Sequence, residues 1–310
     1  MIVSLRTDVT FRAMGTDVRL LVSAPDAPAL ALAARELIER FEACCSRFRA
    51  DSELSALNAD PRRVVPASRT LRDAVRAALW AARRSGGLVD PCLLDALEGA
   101  GYRHSFAAGA EAVPPPSGPG RAAAPAPAAR WREVVVDDNA GTIARPPGLR
   151  LDLGGSGKGH VADRLASLLA PARSWVADCG GDVRMGGTHK ILVAHPLGGP
   201  PAARLRLADT AVATSSVVRR AWRSADGTPR HHLLDPATGR PAWSGLLAAT
   251  AFAPTALEAE TLAKLALLRG RGDALAHGGV LIGPGGAATL IAADGIGGRT
   301  GSIGEGEVAA

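Results

Sequence analysis

Apolar residues recur at intervals of three and four positions in several stretches, which is the spacing of a helix with one buried face. Leu30, Ala33, Leu37 and Phe41 show this spacing clearly. Polar residues at the predicted starts and glycines at the predicted ends set the helix limits. The predicted helices cover residues 28–44, a short turn around 52–55, 68–85, 161–169, 214–222 and 256–268.

Other stretches alternate apolar and polar residues, which is typical of a strand with one buried face. Val18, Leu20 and Val22 are the clearest example. Strands at 131–136 and 141–144 are expected to pair as a hairpin. The other predicted strands cover residues 149–153, 175–184 with a break at a glycine pair, 191–194, 203–207, 211–213, 248–253, 280–282 and 288–292.

A glycine-rich stretch joins the predicted strand at 149–153 to the helix at 161–169. Glycines at positions 154, 155, 157 and 159 allow a tight turn and the close approach of another group. A helix that begins after such a turn directs N–H groups and a partial positive charge at one point, and Lys158 adds a full charge there. The stretch therefore suits a phosphate-bearing ligand.

This loop matches neither of two common phosphate-binding motifs. A Walker A loop requires Gly-x-x-x-x-Gly-Lys-Ser/Thr, but Asp152 stands at the first glycine position and Gly159 follows Lys158. A Rossmann fingerprint requires a third glycine where His160 stands. Taken alone, the loop fits a phosphate site or a glycine-rich connection that binds no ligand.

Residues 107–130 consist almost entirely of alanine, proline, glycine and serine, with a proline-rich centre. Such a segment has too little large apolar surface to order itself. We expect a surface insertion within a single domain of residues 1–310, because the pattern on either side is incomplete alone. Shortening it is expected to change stability little, because loop-closure entropy varies slowly with length.

The net charge of +6 comes from scattered arginines rather than from a basic run. Nucleic-acid binding typically needs a clustered basic face with interleaved aromatic residues, so nucleic acid is not an expected partner. The charge favours anionic ligands weakly. Because neither a secretion signal nor a membrane-spanning apolar run is recognisable, we expect a cytoplasmic protein with reduced cysteines.

Eight short motifs occur along the chain, and each alone is an ordinary turn, cap or bend. They are Met14-Gly15-Thr16, Ser52-Glu53-Leu54 with Leu57-Asn58, Val89-Asp90-Pro91, Asp152-Leu-Gly-Gly-x-x-Lys158-Gly159, Asp163, Cys179-Gly-Gly-Asp182, Thr214-Ser215 and His232-x-x-Asp235-Pro236-x-x-Gly239. In this order and spacing they resemble the FAD:protein FMN transferase family (ApbE-like proteins). The resemblance extends from Phe11 to Gly270.

The resemblance implies an α+β fold in which mixed sheets pack with helices around a central flavin-binding cleft. It also implies a reaction in which FAD is split with Mg²⁺, FMN is attached through a phosphoester bond to a threonine or serine of an acceptor protein, and AMP is released. Phosphoryl transfer relies on positioned cations and donors, which agrees with the glycine loop and Lys158. The alternative is a FAD-binding carrier or regulatory homologue that has lost the transfer activity.

Carried over by position, the resemblance also implies the site residues. Lys158 and His232 are the expected catalytic residues. His232 is expected to act as the base, because an imidazole near its normal pKa can take a hydroxyl proton at neutral pH. The alternative for His232 is a structural histidine that hydrogen-bonds Asp235 or the backbone. The expected cofactor-binding residues are Met14, Phe48 as the aromatic nearest to the flavin, Leu88, Val89, Asp90, Asp152, Lys158, Asp182, Thr214, Ser215 and His232.

The segment that helps to hold the metal in the family is altered here. Relatives carry Ala-Asp-Ala-Leu-Ala-Thr, whereas this chain has Glu260 and Lys264 at the Asp and Thr positions. The metal position would then involve Gly155, Glu260 and Lys264. A protonated lysine cannot ligate a cation, so we hypothesise that Lys264 takes the place of Mg²⁺ and reduces the dependence on it. An ordinary exposed Glu–Lys pair is the alternative.

Overall fold

The chain folds around one large sheet with helices packed against it. The computed structural model describes residues 5–105, 113–114, 116–224, 227–293 and 299–300. The helices within those ranges are α1 (Ala27–Cys45), α2 (Glu53–Ala59), α3 (Arg69–Arg84), α4 (Leu94–Gly99), α5 (Gly157–Leu169) and α6 (Ala256–Arg269), with 3₁₀ helices at Arg130–Glu133 and Gly272–Ala274. None of these helices has the length and apolar character needed to cross a membrane.

Eighteen strands form five sheets within the described ranges. They are β1 (Leu5–Ala13), β2 (Thr16–Ala24), β3 (Val64–Pro66), β4 (Val135–Asp137), β5 (Thr142–Ala144), β6 (Ser174–Cys179), β7 (Asp182–Gly186), β8 (Thr188–Val193), β9 (Ala203–Ala208), β10 (Ala211–Ser216), β11 (Ala221–Arg223), β12 (Pro229–His231), β13 (Leu234–Asp235), β14 (Arg240–Pro241), β15 (Ala248–Ala253), β16 (Gly279–Ile282), β17 (Ala288–Ile291) and β18 (Arg299–Thr300). The largest sheet has the order β1-β2-β6-β7-β10-β15-β16-β17-β18, and the paired strands are antiparallel.

The alternation of buried and exposed residues in β2 explains why helices pack against one face of the large sheet. Val18, Leu20 and Val22 are fully buried, while the residues between them are partly or fully exposed. The buried face removes apolar surface from water, which is the main driving force for packing α1 and α5 against the sheet. The α+β class is confirmed, and α1, α3 and α6 match the predicted helices to within two residues.

Helices α5 and α6 lie side by side at their starts. A Cβ on Gly159 would lie 2.6 Å from the carbonyl oxygen of Ala256, so only glycine allows this approach without movement of the backbone. The Asp163 carboxylate accepts hydrogen bonds from the first two N–H groups of α6, at 2.7 and 2.9 Å. These contacts satisfy donors that a helix start leaves free. They also bring Lys158 of α5 next to Glu260 of α6.

Residues 149–153 form no strand, which corrects the sequence prediction. The Asn58 side chain takes the place of a neighbouring strand. Its Nδ2 donates to the carbonyl oxygen of Leu151 at 2.9 Å, and its Oδ1 accepts the Leu151 N–H at 2.7 Å. The N–H of Asp152 donates to the carbonyl oxygen of Pro91 at 2.8 Å. These bonds position the chain just before the glycine loop.

Replacing Asn58 by alanine is expected to lower the free energy of unfolding by about 1–3 kcal/mol, because two backbone groups of the fully buried Leu151 lose their partners. Asn139→Ala is the matched control, since Asn139 lies exposed in the turn between β4 and β5. Chemical denaturation of both variants measures the difference. Equal stability of the two variants would show that Asn58 does not hold this segment.

Three further segments correct the sequence prediction. Residues 214–216 belong to β10, so no helix begins there, and the chain turns directly into β11. The predicted strand at 131–136 starts later, because residues 130–133 form a 3₁₀ helix; the hairpin of β4 with β5 is confirmed. Strand β1, which the apolar pattern did not reveal, pairs with β2 over its whole length.

The described part of the proline-rich segment, residues 113–114 and 116–130, is bonded to the rest of the chain. The N–H groups of Arg121 and Ala123 donate to the carbonyl oxygens of Trp243 and Leu268 at 2.8 and 2.9 Å. Most of these residues are exposed, as their composition predicts. Main-chain hydrogen bonds and the packing of Ala123 and Ala129 against the core hold the segment, so replacing it by a linker is expected to cost stability, contrary to the expectation from composition. Residues 107–112 and 115 of the predicted insertion lie outside the described ranges.

Candidate active site

A cleft of about 230 Å³ lies where the start of α5 meets α1, α6 and several connecting segments. Four of the eight sequence motifs line it directly. They are the β1–β2 turn at Met14, the turn at Asp90, the glycine loop at 152–158 and the segment at His232. The motifs are far apart in sequence, and the packing of α5 against α1 and α6 brings them together.

The sequence predicted that the glycine loop offers several free N–H groups to a phosphate. In the structure most of these N–H groups are already bonded, and the loop offers the charge of Lys158 instead. The N–H of Gly154 donates to the Asp152 carboxylate at 2.7 Å, and that of Gly159 donates to Glu260 Oε2 at 2.9 Å. The N–H groups of residues 156 and 157 donate to a carbonyl oxygen within the loop. Lys158, in the first turn of α5, therefore provides the main attraction for an anion, added to the partial charge of the helix start.

Lys158 belongs to a group of four charged side chains, Lys158, Asp182, Glu260 and Lys264, which we name the two-lysine cluster. Lys158 Nζ contacts the Asp182 carboxylate and lies 3.3 Å from Glu260 Oε1. Lys264 Nζ lies 2.8 Å from the same oxygen. The Asp182 and Glu260 residues are 2% and 0% exposed, whereas both lysines line the cleft. Both lysines thus border the cleft, whereas the two carboxylates with which they pair lie outside its lining.

Burial and charge have opposing effects on pKa values within the two-lysine cluster. Burial lowers the pKa of Lys158 to about 8, although Glu260 acts to raise it. Burial acts to raise the pKa of Glu260, but Lys158 and Lys264 outweigh that effect and hold the pKa below its usual value. At neutral pH the carboxylate of Glu260 is therefore ionised, and Lys158 is mostly protonated.

Arg47 holds together the aromatic side of the cleft. Its guanidinium pairs with the Asp152 carboxylate, and Nη2 donates to the Tyr102 carbonyl oxygen at 2.9 Å. It also lies 4.1 Å from the ring centroid of Phe48 and 4.7 Å from that of Tyr102. Tyr102 stacks on Trp222 with centroids 5.5 Å apart. Cation–π contacts and a largely buried ion pair therefore connect Arg47 to both rings and to the glycine loop.

His232 lines the cleft and carries a ring nitrogen without a hydrogen-bond partner in the described part of the chain. Its Nδ1 is buried and has no hydrogen-bond partner among the described residues. The ring meets that of Tyr102 edge to face at 6.4 Å. Asp235 instead accepts the N–H groups of residues 124 and 237 through Oδ1. The structural alternative is therefore not observed for Asp235, whereas towards the backbone the main chain of Arg220 acts on the ring and raises its pKa slightly against the larger lowering effects.

The protonation state of His232 follows from its surroundings. Burial lowers its pKa well below the usual value of 6.5, and Arg220, His231 and Lys264 add to the lowering. The imidazole is therefore neutral at pH 7, and the expectation of a pKa near the normal value is wrong. A neutral ring with an unused nitrogen lone pair can accept a proton from a hydroxyl group placed in the cleft.

Fourteen site residues were expected from the sequence, and ten of them line the cleft. These ten are Met14, Phe48, Leu88, Val89, Asp90, Asp152, Gly155, Lys158, His232 and Lys264. Asp182 and Glu260 pair with the lysines in the two-lysine cluster.

Thr214 and Ser215 lie outside the cleft lining, in the middle of the large sheet. Both are part of β10, and the Thr214 hydroxyl bonds that of Thr250 in β15 at 2.9 Å. Ser215 is 7% exposed. The expected helix start at these residues is wrong, because β10 pairs with β7 on one side and β15 on the other. We do not include them in the proposed site.

Arg47, Tyr102 and Arg220 line the cleft but were not selected from the sequence. Tyr102 is the only tyrosine in a chain poor in aromatic residues, which is a signal that could have been used. Arg47 precedes Phe48, so an arginine beside the expected flavin-stacking residue was a second signal. Nothing in the sequence around Arg220 distinguishes it from the other scattered arginines.

Comparison with known proteins decides the family, since a sequence model described as the ApbE family matches residues 14–278. The chain belongs to the ApbE family. The FAD:protein FMN transferase of Treponema pallidum is 30% identical over 262 residues, which cover 76% of this chain and 69% of that protein. The crystal structure of the ApbE protein of Thermotoga maritima has a TM-score of 0.76 at 26% identity, and the match covers 92% of this chain and 96% of that one. The flavin transferase ApbE of Vibrio cholerae shares the fold, with a TM-score of 0.71 at 20% identity over 94% of this chain and 99% of that one.

The residues at the expected metal position of this ApbE-family chain do not fit Mg²⁺. Magnesium prefers oxygen ligands, but both oxygens of Glu260 already accept hydrogen bonds, from the two lysines and from the N–H of Gly159. Two ammonium groups within 3.3 Å of one carboxylate oxygen would repel a divalent cation. Within the described ranges, no group of three or more His, Cys, Asp and Glu side chains could hold a metal.

Proposed function

We propose that this chain is a FAD:protein FMN transferase. Membership of the ApbE family supports this activity, and the Treponema relative carries the same name. The observation that carries the proposal is that the neutral ring of His232, with its unpaired nitrogen, shares one cleft with the two-lysine cluster. The imidazole can take a hydroxyl proton, and the lysines can hold a pyrophosphate.

In the proposed reaction, the hydroxyl oxygen of an acceptor threonine or serine attacks the phosphorus of the FMN half of FAD. The bond between that phosphorus and the oxygen bridging to AMP breaks, and AMP leaves with this oxygen. His232 takes the proton of the attacking hydroxyl group. Lys158 stabilises the negative charge that develops on the phosphate oxygens, because it is already positioned in a site largely shielded from water.

The cleft residues suggest how FAD is held. We place the pyrophosphate at Lys158 and Gly155, and the flavin ring along the apolar wall of Met14, Leu88 and Val89. Phe48 is 38% exposed, which is unusual for a large apolar residue and leaves part of its ring available for stacking. Asp90 closes the same turn, and burial raises the pKa of its carboxyl group.

Asp152 receives a different role from the one expected. Its carboxylate is already engaged by Arg47 and by the N–H of Gly154, so few lone pairs are left for FAD. We propose that Asp152 acts as a positioning residue that holds Arg47 against Phe48. Its effect on FAD binding would then pass through the aromatic wall.

The decisive test is whether the purified chain releases AMP from FAD and transfers the FMN half. Total protein of the source cells serves as acceptor, AMP is measured by chromatography, and covalent flavin is detected by fluorescence after denaturing electrophoresis. FAD without acceptor protein is the control for simple hydrolysis. Binding of FAD without AMP release would favour the alternative, a FAD-binding carrier, which no observation supports so far.

Three further properties are proposals that come from the sequence: the threonine or serine acceptor protein, the cytoplasmic location, and a single domain over residues 1–310.

A further inference from the structure

Glu260 and Lys264 do not form an ordinary surface pair. They lie one turn apart on α6, as their spacing predicts, but they are 0% and 8% exposed. Their ion pair of 2.8 Å is formed within the protein, and Lys264 lines the cleft. The alternative of an exposed Glu–Lys pair is therefore wrong.

Pairing within the protein balances the charges of the two-lysine cluster, because two ammonium groups meet two carboxylates. Lys158 contacts Asp182, and it also lies 3.3 Å from Glu260. Glu260 thus lies between two ammonium groups and receives the N–H of Gly159 as well. A buried charge cluster is weak evidence for stability, because apolar residues of similar volume often serve as well. Both lysines line the cleft, so an anion that enters it can contact them as a further partner.

The ligand of the proposed function has the chemistry that matches this wall. The pyrophosphate of FAD carries two negative charges, and an ammonium group offers three hydrogen-bond donors and no lone pair. Lys158 and Lys264 share Glu260 Oε1 as a partner, so the two ammonium groups lie close together. Arg220 adds a further positive charge to the same cleft.

We propose that the Lys264 ammonium supplies, together with Lys158, the positive charge that neutralises the pyrophosphate of FAD, so that FAD binding and cleavage by this chain need no divalent cation. Glu260 is the positioning residue that holds both lysines at the cleft wall. The inference rests on the proposed function and concerns its metal requirement. It explains why the residues at the expected metal position do not fit Mg²⁺.

The first experiment measures the FAD dissociation constant of the parent protein by flavin fluorescence, with excess EDTA and with excess Mg²⁺. We expect the two values to agree within about twofold, and AMP release to continue in EDTA. Binding of Mn²⁺ to the FAD-bound protein, followed by electron paramagnetic resonance, is expected to be no stronger than to FAD alone. A loss of FAD binding or AMP release in EDTA that Mg²⁺ restores would overturn the proposal.

The second experiment uses two substitutions of Lys264. Lys264→Met removes the charge at similar length and is expected to weaken FAD binding about 10–100-fold, as for the loss of a charge-assisted contact. Lys264→Thr restores an oxygen, and FAD binding by this variant is expected to improve on addition of Mg²⁺. Lys190→Met is the matched control, because Lys190 is exposed on β8 and far from the cleft lining. An unchanged dissociation constant in Lys264→Met would contradict the proposal.

Two safeguards separate the possible causes of failure. If Lys264→Met does not fold, Lys264→Met combined with Glu260→Gln removes the carboxylate that has lost one of its two lysines. The response of the parent to EDTA still decides the question. If the parent binds FAD but releases no AMP with or without Mg²⁺, the proposed transferase activity fails. The effect of Mg²⁺ on the FAD dissociation constant then tests the role of Lys264 by itself.

Discussion

His232→Ala is expected to bind FAD about as tightly as the parent and to transfer FMN about 10²–10⁴-fold more slowly, which is the usual contribution of a general base. The ring is neutral, and its Nδ1 has no partner within the described part of the chain. Its removal therefore breaks no hydrogen bond at Nδ1. The loss should appear in kcat rather than in the FAD dissociation constant.

Two variants control this prediction. His232→Gln keeps a polar side chain of similar length but cannot take a proton at neutral pH, so it should be as slow as His232→Ala. His195→Ala removes a histidine outside the cleft lining, whose ring bonds the carbonyl oxygen of Gly286, and should transfer FMN at the parent rate. Transfer by His232→Ala at the parent rate would assign the proton to another group, and Asp182 would be tested next.

The same assignment predicts the pH dependence of transfer. The pKa of His232 lies well below 6.5 because the ring is buried, and Arg220, His231 and Lys264 disfavour its protonation further. The neutral, active form therefore persists as the pH falls through 6.5, and the acid limb of kcat/KM should lie well below that pH. Half-loss of activity near pH 6.5 would indicate an unshifted histidine and would contradict the assignment.

Lys158→Ala is expected to have the second large effect, on stability and on FAD binding together. Removal of Lys158 leaves the Asp182 carboxylate, in a residue 2% exposed, without its positive partner, while Glu260 keeps Lys264. Breaking a buried ion pair in this way typically lowers the free energy of unfolding by about 3–5 kcal/mol. The FAD dissociation constant should rise about 10–100-fold, because a charge-assisted contact is lost.

A double variant separates the two effects of Lys158→Ala. Adding Asp182→Asn removes the unpaired charge, so much of the stability should return, as measured by chemical denaturation. FAD binding should not return, because the lysine that contacts the pyrophosphate is still absent. Recovery of FAD binding in the double variant would show that Lys158 acts on the fold of the site and not on the ligand. Lys190→Ala, at an exposed position, is the control for both measurements.

The sequence by itself predicted the elements whose signals are local. The apolar spacing over 28–44, 68–85 and 256–268 predicted α1, α3 and α6, since a helix of this length presents its buried face through neighbouring residues. The order of the motifs likewise predicted the family, the α+β class and ten of the residues that line the cleft. Each of these inferences needs only residue types and their separation along the chain.

The sequence pattern was insufficient to predict secondary structure where a short segment fits two conformations. Residues 214–216 are polar enough to begin a helix and small enough for the middle of a sheet. These residues form a strand rather than a helix because they pair with β15, which lies some 36 residues further along the chain. Residues 149–153 were the opposite case: their alternation suits a strand, but Asn58 occupies the edge that a partner strand would need.

Only the tertiary structure decided the electrostatics of the site. The spacing of Glu260 and Lys264 placed both on one face of a helix, but it could not show whether that face meets solvent or Lys158. The pairing of Arg47 with Asp152, and the isolation of the His232 ring, likewise depend on chain segments that are distant in sequence. Burial and charge neighbours arise when such segments pack together, and they set the pKa values and free donors on which the chemistry depends.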